Sequence, residues 1–435
     1  MSTEAWVRLW GRTIGAVSLG DGADVAAFEY DSQFAASGIE VSPLVMPLSN
    51  RVYSFPELAR NTYRGLPGLL ADSLPDRFGN ALINAWLATQ GRTPDSFNAV
   101  ERLCYVGNRG MGALEFAPVT GPRANTAHKI QIDKLVELAS EILSQRTDLS
   151  VSFQEKSRRQ ALTEILRIGT SAGGARAKAV IAWKPATNEV RSGQIDAGPG
   201  FEYWLLKFDG VEGNRDKEMA DPQGYGAIEF ACYLMAVDCG ITMEECRLFE
   251  ENDRRHFMTR RFDRTRDGRK IHMQSLCALA HFDFNLAGAY SYEQALLTMR
   301  QLGLPMSATE EQFRRMVFNI VVRNQDDHVK NIAFLMDKAG NWSLSPAFDM
   351  TYSYNPEGQW TARHQMSMNG KREDFVLEDF KACAQTALMK RGRAETILDE
   401  VLEVASKWPV YAEKAGVPES VTEKVKNGMR LGGFK

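Results

Sequence analysis

The chain has 435 residues, of which 44% are hydrophobic and 25% charged, enough to bury a large core spread over two or three domains. Its 52 Lys and Arg stand against 55 Asp and Glu with the signs interspersed, and a net charge of −3 argues against a nucleic-acid stripe as its main business. No stretch approaches eighteen consecutive apolar residues and the opening MSTEAWVRLWGR has no signal core, so a cytoplasmic protein with no membrane contact is expected; six scattered cysteines without a C-x2-C pair predict reduced, buried thiols.

The first thirty residues hold three short strand-like runs (5–10, 13–19 and 25–30) separated by glycine turns, which predict an antiparallel meander. The stretch GLLADSLPDRFGN, residues 68–80 with the preceding Gly65-Leu-Pro, reads as a loop leading into a helix over 81–88. Residues 118–127 lack apolar periodicity and hold two prolines and a glycine, so a boundary belongs there. Apolar positions 132, 135, 136, 139, 142 and 143 predict an amphipathic helix.

Next comes Gly169-Thr-Ser-Ala-Gly-Gly-Ala-Arg-Ala-Lys178, small and glycine-rich, running into a strand. Backbone amides approach phosphates only where side chains are small, so Ala172, Gly173 and Gly174 suit a loop over a nucleotide, although a turn without function explains many such runs. Phe201 to Phe208 reads as a strand with Lys207 near its end. A buried ammonium is costly unless paired, and Glu229, on an apolar helical stripe with Cys232, Tyr233 and Ala236, is an available partner. In a kinase such a lysine reaches the α- and β-phosphates. From 271 onward the pattern is dominated by helices, at 292–302, 310–323, 373–388 and 394–407, with no tandem repeat.

The densest chemistry lies between Val321 and Tyr352. Asp326 precedes Asn331 by five positions, the D-x4-N spacing of a kinase catalytic loop, where the Asp takes the acceptor's proton and the Asn holds a metal. Two short strands joined by a Lys338-Ala-Gly-Asn turn then return the chain to deliver Phe348-Asp349-Met350, with Asp349 as a Mg²⁺ ligand. Taken singly these are ordinary turn residues; the ordered set is what carries the signal. His328 reads either as a metal ligand or as a residue that packs and orients the loop.

On these residues the chain resembles the HipA family of serine/threonine protein kinases. Asp326, His328, Lys330 and Asn331 match its N-x-D-x-H-x-K-N catalytic loop, and Ala172 and Gly173 match the A-G pair of its phosphate loop. Lys207 matches the ATP-contacting lysine, while Phe262, Asp263 and Arg264 match a hinge strand in which Arg260 replaces the usual Glu. GLLADSLPDRFGN and Met366-Ser-Met-Asn-Gly-Lys resemble further family segments more loosely. The departure GARAK leaves Arg176 and Lys178 without one-to-one counterparts.

The resemblance implies an α+β, protein-kinase-like two-lobed fold: an N-terminal β-rich subdomain (1–117), an N-lobe (118–265) and a helical C-lobe (266–435). It implies ATP and Mg²⁺, with Asp326 and Lys330 catalytic, Asn331 and Asp349 on metal, and Glu229 paired to Lys207. The nucleotide would meet residues 172–174, Lys207, Arg260, Phe262 and His328. It further implies phosphorylation of proteins, aminoacyl-tRNA synthetases among them, autophosphorylation at Thr170 or Ser171, and a helix-turn-helix antitoxin that carries the DNA contact. Two other readings stay open: a small-molecule phosphotransferase, and a non-catalytic kinase fold bridging an antitoxin to DNA.

Overall fold

The computed structural model describes residues 3–121, 130–144, 165–166, 176–194, 196–211 and 224–434. Three antiparallel sheets organise them. The first has the order β4-β3-β2-β1-β5, from β1 (Thr3–Leu9), β2 (Arg12–Leu19), β3 (Ala27–Tyr30), β4 (Val52–Tyr53) and β5 (Leu114–Ala117). Along β1 the side chains alternate, Ala5, Val7 and Leu9 inward and Glu4, Trp6 and Arg8 outward, so one face must be covered. The β1–β2 connection closes over Trp10 and Gly11, both at positive φ, as a two-residue hairpin requires.

The second sheet has the order β7-β6-β8-β10-β9, from β6 (Lys178–Lys184), β7 (Glu189–Ser192), β8 (Glu202–Lys207), β9 (Cys246–Glu251) and β10 (Arg254–Arg260). Its two faces differ. Ala179, Ile181, Trp204, Leu206 and Met258 pack against helices α1 (Arg77–Thr89) and α2 (Ile132–Ser144) in one core. Lys178 and Lys207 are directly opposite each other in the β6–β8 ladder, as Lys207 and Phe257 are across β8–β10, so these three share the other face. Helix α3 (Tyr225–Asp238) contacts β9 and β10.

The third sheet, β11 (His272–Ser275), β12 (Ala333–Met336) and β13 (Trp342–Leu344), sits among the C-terminal helices. The β12–β13 turn falls where the sequence predicts it: the Asp337 carboxylate accepts from the amides of Ala339 (2.8 Å) and Asn341 (3.0 Å). Strand β11 was not expected, because its four residues carry no long alternation. Helices α4 (Tyr292–Gln301), α5 (Met306–Val322), α6 (Leu377–Thr386) and α7 (Arg393–Ala405) occupy the predicted region; α6 starts later and ends earlier than expected.

The first sheet is not a free appendage. Val7 and Phe28 belong to one continuous core with Cys232 of α3 and Phe313 of α5. Asp72 accepts from the Ser275 amide (2.7 Å) and hydroxyl (2.8 Å), and Trp10 Nε1 donates to the Lys270 carbonyl (2.9 Å). At Gly68 a Cβ would stand 2.4 Å from the Ala278 carbonyl oxygen, so only glycine admits this approach. Among the described residues no helix is long and apolar enough to cross a membrane, and Cys104, Cys232, Cys239, Cys246, Cys277 and Cys383 are free and buried.

Candidate active site

The central group is Lys207, 6% exposed at the end of β8. Its ammonium meets Glu229 Oε1 of α3 at 2.5 Å and is bonded to Asp349 Oδ1 from the far side of the cleft. Burial alone would lower the pKa of Lys207, but Asp349 and Glu229 outweigh it, and the lysine is held above its ordinary value. For Asp349, burial raises the pKa while Lys207 and Lys178 pull it down more strongly, to about 2, so the carboxylate is ionised at any physiological pH. Glu229 Oε2 also takes Arg176 Nη1 at 3.1 Å, and Arg176 Nη2 donates to the Phe208 carbonyl. The sequence could offer Glu229 only as an available carboxylate; the fold makes it bridge two cations.

Asp349 sits at φ 54, an uncommon conformation for an aspartate. Asn324 Nδ2 donates to its carbonyl (3.0 Å) and to Asn319 Oδ1 (3.0 Å), tying this turn to the end of α5. The Phe348 ring meets Phe262 with centroids 5.4 Å apart, so the predicted hinge touches the segment that carries Asp349.

In the loop after α5, Asn331 Nδ2 donates to the Asp326 carbonyl at 2.8 Å. That bond fixes the amide so that Asn331 Oδ1 remains for a ligand. His328, Asn331 and Asp349 line one narrow crevice. A carboxylate and an amide oxygen, with water and phosphate oxygens completing six positions, is the donor set Mg²⁺ takes, and the second Asp349 oxygen has no hydrogen bond among the described residues, so the residues fit that ion. The Asp326 side chain is 54% exposed and so accessible to an incoming group, and His328 Nε2 lies 3.9 Å from its Oδ1. His328 and Lys330 both rest on Phe284, at 5.5 Å and 5.1 Å from the ring centroid.

Arg260 is not brought to the cleft by its side chain. It lies opposite Trp204 in the ladder, on the face away from Lys207, over the indole at 5.5 Å and paired with Glu202 (2.5 Å) and Glu245 (3.8 Å). A nucleotide contact at this position could come only from the main chain. Thr170, Ser171, Ala172, Gly173 and Gly174 lie outside the described residues.

Asp327, Asp263 and Lys178 take part in contacts that sequence reasoning did not assign to them. Asp327, 3% exposed beside the exposed Asp326, accepts from Tyr292 Oη (2.6 Å), the Gln365 amide (2.7 Å) and His364 Nδ1 (2.8 Å). Since Arg430 Nη1 can only donate to His364 Nε2 (2.9 Å), the imidazole proton is on Nδ1, and the C-terminal segment thereby anchors the loop. Asp263 binds Arg261 through both oxygens (2.8 and 2.7 Å), Arg264 (2.6 Å) and the Gly112 amide (2.7 Å), which ties the predicted hinge to the segment just before β5. Lys178 faces Asp76 Oδ2 at 3.5 Å. A doubled Asp after an apolar helix was the visible signal for Asp327; Asp263 was marked by the family resemblance and Lys178 by its place after the glycine-rich stretch, but nothing local named their partners.

Comparison with known proteins adds to this geometry. Residues 170–408 match the family described as HipA-like C-terminal domain, and residues 5–117 match the HipA N-terminal domain. The fold is similar to that of HipA from Shewanella oneidensis MR-1, solved as a toxin–antitoxin complex with HipB and operator DNA: TM-score 0.69, 15% identity, covering 97% of this chain and 95% of that one. A Sinorhizobium fredii protein named "Putative kinase Y4dM" is 28% identical over 166 residues, 37% of this chain and 39% of that protein. The Helicobacter pylori proinflammatory kinase CtkA is matched at a TM-score of 0.34 and 12% identity, over 54% of this chain and 89% of that one.

Proposed function

The chain belongs to the HipA family, and from that membership we propose that it is an ATP-dependent serine/threonine protein kinase. The observation that carries the proposal is Lys207 held between Glu229 and Asp349: the lysine that would clamp the α- and β-phosphates, its helix carboxylate and the metal-ligand aspartate form one cluster. Asn331 and Asp349 would hold Mg²⁺, which when bound neutralises charge on the phosphates. Asp326 accepts the proton of the attacking hydroxyl, and Lys330, four residues on in the same loop and resting on the Phe284 ring, adds positive charge near the transferred group. The Phe262 segment meets the base through main-chain groups. The division at 117 and 265 belongs to this reading, although α1 packs on the second sheet across the first boundary.

The acceptor would be a protein hydroxyl, on a cytosolic target such as an aminoacyl-tRNA synthetase and on Thr170 or Ser171 of the chain itself. The fold's likeness to a HipA solved with HipB and operator DNA supports a toxin restrained by a helix-turn-helix antitoxin, which would carry the DNA contact. A phosphoproteome comparison of cells producing the wild type and Asp326→Ala tests the proposal. Protein sites phosphorylated only with the wild type are expected. Turnover of ATP on a metabolite with no protein site points instead to a small-molecule phosphotransferase, and no Mg²⁺–ATP binding at all points to a non-catalytic fold.

A further inference from the structure

Lys178 and Lys207 occupy directly opposite positions of the β6–β8 ladder, so two ammonium groups share one face of the sheet and both are buried, 2% and 6% exposed. Side chains at such positions stand about 5 Å apart at Cβ, and like charges placed there destabilise each other unless counter-charges intervene. Lys207 has Glu229 and Asp349, both from the kinase-like part of the chain. Lys178 is met by a carboxylate from elsewhere: Asp76, with Oδ2 3.5 Å from the ammonium, lies in the segment matched to the N-terminal domain.

Asp76 is fixed in place. It caps α1, its Oδ1 accepting from the Gly79 amide at 2.7 Å, which leaves Oδ2 turned to Lys178. Burial pushes its pKa up to about 6, against the pull of Lys178, the Gly79 amide and Lys330. Lys330 of the catalytic loop also draws on this carboxylate electrostatically.

We propose that Asp76 is a positioning residue for phosphoryl transfer: the first domain supplies the carboxylate that holds Lys178 beside Lys207, so that the two ammonium groups together face the nucleotide's phosphates. This rests on the kinase reading. It assigns the first domain a part in the chemistry, because removing Asp76 takes away the carboxylate that stands 3.5 Å from the Lys178 ammonium and offsets the like charge of Lys207.

A double-mutant cycle tests this on the full chain. Binding of a fluorescent ATP analogue with Mg²⁺ and transfer of label from γ-labelled ATP to protein are measured for the wild type, Asp76→Asn, Lys178→Met and the double variant. Each single change is expected to lower kcat about tenfold or more, with the analogue's Kd changed less than threefold by Asp76→Asn. If Asp76 acts on transfer through Lys178 rather than through Lys330, the double variant is no slower than Lys178→Met. Asp76→Glu, which keeps the charge, should recover part of the rate and covers the case in which Asp76→Asn does not fold. Multiplying effects, or wild-type kcat in folded Asp76→Asn, overturn the assignment while nucleotide binding stands. A wild type that binds no Mg²⁺–ATP overturns the kinase reading and this assignment with it.

Discussion

Asn331 donates its side-chain amide to the main-chain carbonyl of Asp326 at 2.8 Å, which ties together the positions proposed for a metal ligand and for the base. The two aspartates of the cleft should nevertheless fail differently. Asp326→Ala removes a group that is 54% exposed and is expected to abolish transfer while Mg²⁺–ATP binds as before. Asp349→Ala removes a Lys207 partner and a metal oxygen, and should weaken Mg²⁺–ATP binding at least tenfold. Titration of both variants with nucleotide separates them; near-normal transfer by Asp326→Ala would contradict its role as base.

Glu229 divides its oxygens between Lys207 and Arg176, and Lys207→Ala leaves it with Arg176 still in place. The fold should therefore survive while transfer falls roughly 10²–10³-fold, the scale for losing one preorganised charge contact in a transition state. Circular dichroism alongside single-turnover kinetics decides it. Unfolding with unchanged activity per folded molecule would make Lys207 structural only.

Asp263 pairs with Arg261 and Arg264 and accepts from the Gly112 amide, and despite its burial those guanidiniums hold its pKa well below the usual carboxylate range. Asp263→Ala strands two buried arginines and is expected to cost about 3–5 kcal/mol in urea unfolding. A loss under 1 kcal/mol would show that the arginines find other partners without difficulty.

Acid should destabilise the protein well above the range where carboxylates protonate. Burial lowers His256 and His272 from 6.5 to about 4, and both are 0% exposed. The unfolded chain therefore takes up these protons as pH falls through 6.5 while the folded chain refuses them until about 4, so stability is lost across that window. Each imidazole contributes roughly 2 kcal/mol of loss at pH 5. Asp76, raised to about 6, has the opposite sign, since the folded form binds its proton first, and offsets about 1 kcal/mol. Denaturant midpoints at pH 7 and pH 5 should differ by a net loss of a few kcal/mol; equal midpoints would contradict the buried, neutral imidazoles.

Phosphate on Thr170 or Ser171 is expected in active protein and absent from Asp326→Ala. It adds roughly −1.5 to −2 charges to the stretch expected to cover ATP's own phosphates, and should lower nucleotide affinity. Mass spectrometry of ATP-treated protein reads this directly, and an unmodified active enzyme would rule out this form of self-control.

What the sequence determined by itself was what short-range rules govern. The hairpin through Lys338 to Asn341 and the helix from Ile132 depend on turn chemistry and side-chain periodicity within a few residues, and both stand where they were expected, while Asp326 and Asn331 at their x4 spacing are joined by one side-chain bond. The identity of ionic partners was decided by the tertiary structure, because a buried charge takes whichever opposite charge the packing presents, at any distance along the chain. Lys207 reaches Asp349 across 142 positions, Gly112 reaches Asp263 across 151, and the face alternation of β10 turns Arg260 away from the cleft. Asp76 shows the limit most plainly. In the sequence it lies in a loop before a helix expected over 81–88; the structure starts that helix at Arg77 with Asp76 as its cap, and only the packing of the helix on the second sheet sets the other oxygen beside Lys178.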